Sequence, residues 1–323
     1  MPSANRATDV PPQPWTGRFD GDGADHRRWW QAVTPYAAHP AAHPRPAASA
    51  GARPAVILGF GSDAGVRRNK GRVGAAAAPA AIRAALGPLA FHLDREIHDA
   101  GDVTVMGDAL EAGQARAGLA ITGLLDAGAL PVVLGGGHET AFASYLGVAG
   151  SAAVREGLRV GVLNLDAHFD LRDEPVPSSG TPFLQMARAE AAAGRELKYA
   201  VVGISEPNNT KALFRTAAEL GVDYLLDEDC AADASQAFVA AFLAQVDALY
   251  LTIDLDVLPA SVAPGVSAPA AYGVPLPVIN AVCRQVAASG KLLHLDVAEL
   301  NPDFDVDGRT ARVAARLINT LLR

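Results

Sequence analysis

Two aspartates and a histidine stand at intervals of two in GVLNLDAHFDLRDEPVPSSGTPF, residues 161–183: Asp166, His168 and Asp170. All three are side-chain types that bind divalent cations. They follow Val162, Leu163 and Leu165, a short apolar run of the kind that fills a buried parallel strand. In an extended chain, residues two apart lie roughly 6.6 Å from one another and residues four apart roughly 13 Å. Asp166 and His168 can therefore converge, while Asp170 joins them only if the chain bends, so the strand is expected to end near His168 with Asp170 on the loop beyond it.

Two further stretches carry groups of the same kind. After Pro131–Leu134 comes Gly135-Gly136-Gly137-His138-Glu139-Thr140, and after Leu251–Ile253 comes Asp254-Leu255-Asp256. Each is a weak signal alone: a glycine turn with a capping Glu is common, and His138, Asp254 and Asp256 could be ordinary loop residues. Together they are harder to dismiss. Four carboxylates gathered in one crevice repel, and burying even one without a compensating charge is prohibitive. Two divalent cations would leave the set neutral. Mixed Asp and His donors around five- or six-coordinate ions suit Mn²⁺ better than zinc, and a pair of ions roughly 3.5–4 Å apart can generate hydroxide near neutral pH. The chemistry implied is hydrolysis.

Such a site needs strand ends that meet. From Ala55 onward, apolar strand-like runs alternate with helical patterns, the signature of βαβ units on a parallel sheet. Strands are predicted at Ala55–Leu58, Leu130–Leu134, Arg159–Leu165, Tyr199–Val202, Ala248–Ile253 and Lys291–Leu295. Helices are predicted at Ala80–Leu86, Asp108–Asp126, Thr140–Leu146, Thr181–Ala193, Lys211–Leu220, Ser235–Gln245, Pro277–Ala288 and Thr310–Leu322. In an open α/β sheet, ligands bind outside the carboxyl ends of the strands. Residues 55–323 read as one catalytic domain with no internal repeat, and residues 1–54 as an N-terminal arm and linker. The arm carries Trp15, Trp29 and Trp30 and one short predicted helix, Asp25–Val33; its indoles are expected to pack on the main domain. Pro35 to Pro54 is rich in Pro and Ala, and His39 and His43 within it are not read as ligands.

Composition excludes several classes. The 323-residue chain has 50% hydrophobic and 19% charged residues, which marks a globular protein, and a formal charge of −8 without any Lys/Arg block, which argues against nucleic-acid binding. Cys230 and Cys283 are isolated, too few for a disulfide framework, so a reducing, cytoplasmic setting is expected. The first residues, MPSANRATDV, hold no apolar signal core, and no apolar run is long enough to span a bilayer.

The motifs GGGHE, NLDAHFDLR, SSGTPF and LTIDLDVLP resemble, in order and spacing, the metal-binding signatures of the ureohydrolase (arginase/agmatinase) family, from about Ala55 to Arg323. VRRNKGRVGA at 66–75, the Arg of DLR, SSGTPF and VAPGVSAPA are most similar to the branch that hydrolyses N-formimidoyl-L-glutamate to L-glutamate and formamide in histidine degradation, as is WTGRFD at 15–20. The resemblance implies a three-layer α/β/α sandwich around a mainly parallel sheet and two Mn²⁺ per subunit. One ion would be held by His138, Asp166, Asp170 and Asp254, the other by Asp166, His168, Asp254 and Asp256. It further implies attack of a metal-bridging hydroxide on the amidine carbon, with Asp170 passing the proton to the departing amine and Glu299, in ELNP, receiving the amidinium. A homo-oligomer is the usual assembly of the family.

A dicarboxylate substrate calls for cations. Arg172 is the first expected contact, and one of Arg67, Arg68 and Arg72 is expected to close the other side; the alternative is that these three form a solvated basic loop or meet a neighbouring subunit. Where arginases carry a proton-shuttling histidine, this chain has Ser178-Ser179-Gly180. Ser179 is therefore expected to bind substrate, and the resemblance leaves the proton route unassigned. A guanidino hydrolase of agmatinase or guanidinobutyrase type is the nearest alternative function. A non-enzymatic metal-binding protein on the same fold is the alternative from another class, against which the complete donor set argues. His92 and His98 are given no role, and His294, inside an apolar run, reads as a buried structural residue.

Overall fold

A computed structural model describes residues 8–37 and 52–323; His39 and His43 lie outside the described residues. In chain order the strands are β1 (Thr34–Pro35), β2 (Ala55–Gly61), β3 (Ile97–Thr104), β4 (Leu130–Leu134), β5 (Val160–Leu165), β6 (Lys198–Ile204), β7 (Asp223–Leu226), β8 (Ala248–Asp254) and β9 (Leu292–Ala298). The helices are α1 (Trp29–Ala32), α2 (Ala64–Arg68), α3 (Ala78–Leu86), α4 (Leu110–Asp126), α5 (Thr140–Gly150), α6 (Ala152–Arg155), α7 (Pro182–Ala192), α8 (Lys211–Glu219), α9 (Ala232–Ala244), α10 (Leu276–Ala288) and α11 (Arg309–Leu321). The nine strands form one parallel sheet in the order β1-β3-β2-β4-β9-β8-β5-β6-β7.

Alternation along the strands splits the core into two layers. Ile57, Val132, Leu134, Leu163, Leu165, Leu251, Ile253 and Leu295 point to the face covered by α3, α9, α10 and α11, where they meet Ile82, Phe242, Val282 and Ile318. On the opposite face Val162, Val201 and Tyr250 pack with Tyr145 of α5 and Phe183 and Met186 of α7, and Leu58, Phe60 and Val133 pack with Leu110, Ala117 and Ile121 of α4. The result is a three-layer α/β/α sandwich, and its central strands are buried on both faces.

Three strands escape the sequence pattern. β3 is IHDAGDVT, whose polar positions hide the apolar alternation; Asp99 is nonetheless buried because Arg83 pairs with both Asp99 and Asp102, at 2.8 and 2.6 Å. β7 and β1 are short edge strands of four and two residues. The predicted helix Asp25–Val33 is interrupted. Arg28 is extended and bridges to Ala90, so a single turn at Ala24–His26 precedes the four-residue α1. Trp15 stacks on Trp29 at 6.4 Å, and Trp29 is fully buried with its indole N–H donated to Asn319 of α11.

Connectivity creates the crevice. β4 and β5 are consecutive in the chain, yet β9 and β8 lie between them in the sheet. Four adjacent strands, β4-β9-β8-β5, therefore end at one place, and the chain order reverses there.

Candidate functional site

Each of those four strands delivers donors at its carboxyl end: His138 two residues before α5, Asp166, His168 and Asp170 after β5, Asp254 and Asp256 at the end of β8, and Glu299 directly after β9. Strand β5 ends at Leu165, short of the expected position near His168. Asp166 and His168 are brought together by a turn in which the Asp166 carboxylate accepts the His168 backbone N–H at 2.6 Å. The bend needed for Asp170 is present, with φ +49. Glu299 and Lys70 also have positive φ, +69 and +61, so among the described residues three of the four non-glycine residues in this region of backbone space surround the crevice.

His138 Nδ1 lies 3.1 Å from Asp166, 2.9 Å from Asp170 and 3.2 Å from Asp254. Donor atoms of these four residues lie within 4.8 Å of one another, as do those of Asp166, His168 and Asp256, with His168 Nδ1 3.0 Å from Asp256. Asp254 stands in the first group only, and its Oδ1 accepts the Asp256 backbone N–H at 2.8 Å. A single N–H proton on His138 can satisfy one of its three carboxylate neighbours, whereas a divalent cation answers all three. Burial drives the carboxyl groups of Asp254, Asp170 and Asp256 up, reinforced at Asp254 by Asp256 and at Asp170 by Asp166. The imidazoles of His138 and His168 are held well above their usual range by those carboxylates against the opposing effect of burial. Such a cluster is short of positive charge, and the donor set fits divalent metal.

A second ring of residues fixes the donors. Thr252 donates its hydroxyl to Asp296 at 2.5 Å, which leaves its oxygen to accept from His138 Nε2 at 3.0 Å. That bond places the ring proton on Nε2 and turns the Nδ1 lone pair toward the carboxylates. Asn164 donates to Asp166 at 2.9 Å, and Asn209 holds the following loop through the backbone of Ala167 and Phe169. Asn164, Thr252 and Asp296 are register partners across β5, β8 and β9. The sequence signal for this ring is a polar residue inside an apolar strand, Asn164 and Thr252 two positions before Asp166 and Asp254 and Asp296 three before Glu299, and it shows its purpose only once the strands are paired.

Glu139 is likewise more than a cap. It is fully buried, its carboxylate accepting from Ser62 at 2.7 Å and from the Gly65 N–H at 2.8 Å, which ties α2 to the donor loop. The glycines of GGGHE make that approach possible: a Cβ on Gly136 would sit 1.7 Å from the Ser62 carbonyl oxygen. Burial, then the neighbouring Glu139 charge, pushes Glu299 up to about 8. One Glu299 oxygen accepts the His138 backbone N–H at 2.8 Å, and the other has no partner among the described residues.

The cleft over the donors has a volume of about 340 Å³ and is lined by His138, His168, Asp170, Asp254, Asp256 and Glu299, by Arg72, Arg172, Ser179, Asn208 and Asn209, and by Lys70, which sequence reasoning did not single out. Ser179 accepts from Asn69 at 3.1 Å, which frees its hydroxyl proton for a ligand. Arg67 and Arg68, two of the three arginines of which one is expected to close the substrate site, do not line the cleft. Their guanidinium groups are turned to the α4 side, Arg67 to Asp108 at 3.0 Å and Arg68 to Glu111 at 2.7 Å. Arg72 lines the cleft while its Nε and Nη2 donate to the carbonyls of Ser267 and Val266. His98 lies in β3 and bonds Thr34, and His294 is buried in β9. Among the described residues, no helix is long and apolar enough to cross a membrane.

Comparison with known proteins agrees with this geometry. A profile described as "Arginase family" matches residues 53–323. Formimidoylglutamase of Nocardia farcinica is 59% identical over 308 residues, 95% of each chain, and that of Rhodococcus jostii is 56% identical over 316 residues, 97% of this chain and 96% of its own. The crystal structure of Trypanosoma cruzi formiminoglutamase with Mn²⁺ superimposes with a TM-score of 0.74 at 25% identity, covering 84% of this chain and 92% of that one. Formimidoylglutamase from Bacillus subtilis shares the fold with a TM-score of 0.77 at 19% identity, covering 90% of each chain.

Proposed function

The chain belongs to the arginase family, and from that premise we propose that it hydrolyses N-formimidoyl-L-glutamate to L-glutamate and formamide, as a step of histidine degradation. The observation that carries the chemistry is the meeting of six His and Asp donors and an unpartnered Glu299 oxygen in one cleft. Full-length identity to relatives named formimidoylglutamase supports the substrate.

We assign two Mn²⁺ per subunit to this site, one held by His138, Asp166, Asp170 and Asp254, the other by Asp166, His168 and Asp256 with Asp254 shared. Bound there, the ions supply Lewis acidity and a nucleophilic hydroxide at neutral pH. The chain's own groups do the rest. The free Glu299 oxygen receives an N–H of the planar amidinium, while its other oxygen stays anchored on the His138 backbone and keeps the carboxylate from rotating. Asp170, at the cleft edge, takes the proton released by water and hands it to the glutamate nitrogen as the C–N bond breaks. Ser179 donates to a substrate oxygen. The enzyme is proposed to work in the cytoplasm as a homo-oligomer.

The test is metal analysis of purified protein together with a substrate panel read by product. Formamide from N-formimidoyl-L-glutamate is the expected result. Urea from agmatine or 4-guanidinobutyrate, with no turnover of the formimidoyl compound, would overturn it.

A further inference from the structure

The basic residues around the cleft are unequally available. Arg67 and Arg68 are bound to Asp108 and Glu111. Arg72 is committed to two backbone carbonyls, and its guanidinium lies 4.1 Å over the Phe304 ring. Arg172 is half-exposed and among the described residues its guanidinium reaches only Glu174, at 3.9 Å. Lys70 is exposed, lines the cleft, and makes no side-chain hydrogen bond or ion pair with any described residue.

The backbone at Lys70 gives a second, independent observation. α2 ends at Arg68, and after Asn69 the chain turns left-handed at Lys70, with the Gly71 N–H bonded back to the Val66 carbonyl. Helix ends place glycine at such a position by preference, because a Cβ there crowds the following carbonyl. The turn is also pinned on both sides. Asn69 donates to Ser179 at 3.1 Å, the Arg72 N–H is bonded to Ser267 at 2.9 Å, and a Cβ on Gly71 would meet the Ser267 hydroxyl at 2.4 Å. A lysine on this turn therefore starts from a fixed point on the cleft wall at a cost in backbone comfort.

Charge balance says what it would meet. With two divalent ions against four aspartates, Glu299 remains to pair with the amidinium, and the two carboxylates of the substrate have to be answered by cations at the mouth. Among the described residues two are free there, Arg172 and Lys70. We propose that Lys70 is a specificity-determining residue that takes one substrate carboxylate while Arg172 takes the other, an inference that rests on the formimidoylglutamate reading above.

The experiment uses the Mn²⁺-loaded enzyme and its Lys70→Gln and Lys70→Gly variants, with N-formimidoyl-L-glutamate and its two monoamides, in which either the side-chain or the α-carboxylate is neutral. KM for the dicarboxylate is expected to rise about two- to fivefold in both variants, the size of a solvent-facing charge pair, with kcat little changed. The rise should vanish for the monoamide that lacks the partner of Lys70. Lys70→Gly should melt no lower than the parent, which separates lost binding from lost structure. Unchanged KM in both variants, or an equal rise for all three substrates, would overturn the role of Lys70 and leave the substrate assignment standing. Failure of the parent enzyme to hydrolyse the dicarboxylate would overturn the substrate assignment, and the role of Lys70 with it.

Discussion

His138, proposed above as a metal ligand, illustrates how little of such a residue's behaviour lies in the residue itself. Its orientation is set by Thr252, and that of Thr252 by Asp296. Thr252→Val keeps the shape and removes the hydroxyl, so metal affinity is expected to fall roughly 10- to 100-fold while the fold persists, as measured by chelator competition. Unchanged affinity would show that the hydroxyl orients nothing. Asp254 and Glu299 should separate cleanly. Asp254→Ala is expected to lose both stoichiometric metal and activity, whereas Glu299→Gln should retain the metal and lose activity by about 10²-fold or more, since it removes the charge facing the amidinium. Metal retained in the first variant, or metal lost in the second, would reverse the roles assigned to them. The donors themselves were legible in the sequence because Asp and His at strand ends are unusual and clustered. Thr252, Asp296 and Glu139 were not, because a polar residue within a strand shows its purpose only when its register partners are known. Lys70 was hidden for another reason: an exposed lysine next to three arginines carries no sign of which of them is already paired.

At the level of elements, periodicity revealed the strands that are buried on both faces and missed the edges. β2, β4, β5, β6, β8 and β9 are nearly continuous apolar runs, and those runs identify central parallel strands. β3 could not be found the same way, since its buried Asp99 is held by Arg83, 16 residues away, and by the Trp15 indole N–H, both outside the strand. The loop between β4 and α5 combines both kinds of information. Gly136 is visible as a glycine, but the reason for it is the Ser62 carbonyl, brought alongside by the pairing of β2 with β4. Gly136→Ala sets a side chain against backbone that has no room to yield, and is expected to cost about 3 kcal/mol or more and to lower metal content by displacing His138. Denaturant titration with metal analysis checks this; near-parental values in both would mean that the two loops move apart freely.

For the whole molecule, the sequence predicted a sandwich with a mainly parallel sheet, and every strand pair described is parallel. Its acid stability has an identifiable contributor in His294, which is fully buried against Tyr250 with no partner among the described residues on either ring nitrogen. Burial brings it down to about 3, while an unfolded histidine titrates near 6.5. Between those values the unfolded chain binds a proton that the native chain does not, so stability falls as pH drops through about 6.5, by up to ~1.4 kcal/mol per pH unit, and this contribution levels off near pH 3. The raised carboxyl groups of Glu299 and Asp254 act with the opposite sign, so the informative quantity is the difference between parent and His294→Leu. That variant is expected to show a shallower loss of stability between pH 6.5 and 4 in urea titrations, and identical slopes would exclude His294 as a source. The sheet order carries one more consequence, for the way the protein is made. β4 and β5 leave the ribosome early, but the places between them belong to β8 and β9, which are synthesised last. By the sheet order a nascent chain lacks the two strands that close the proposed metal site, so uptake of the proposed metal is expected to mark the final two strands wedging home.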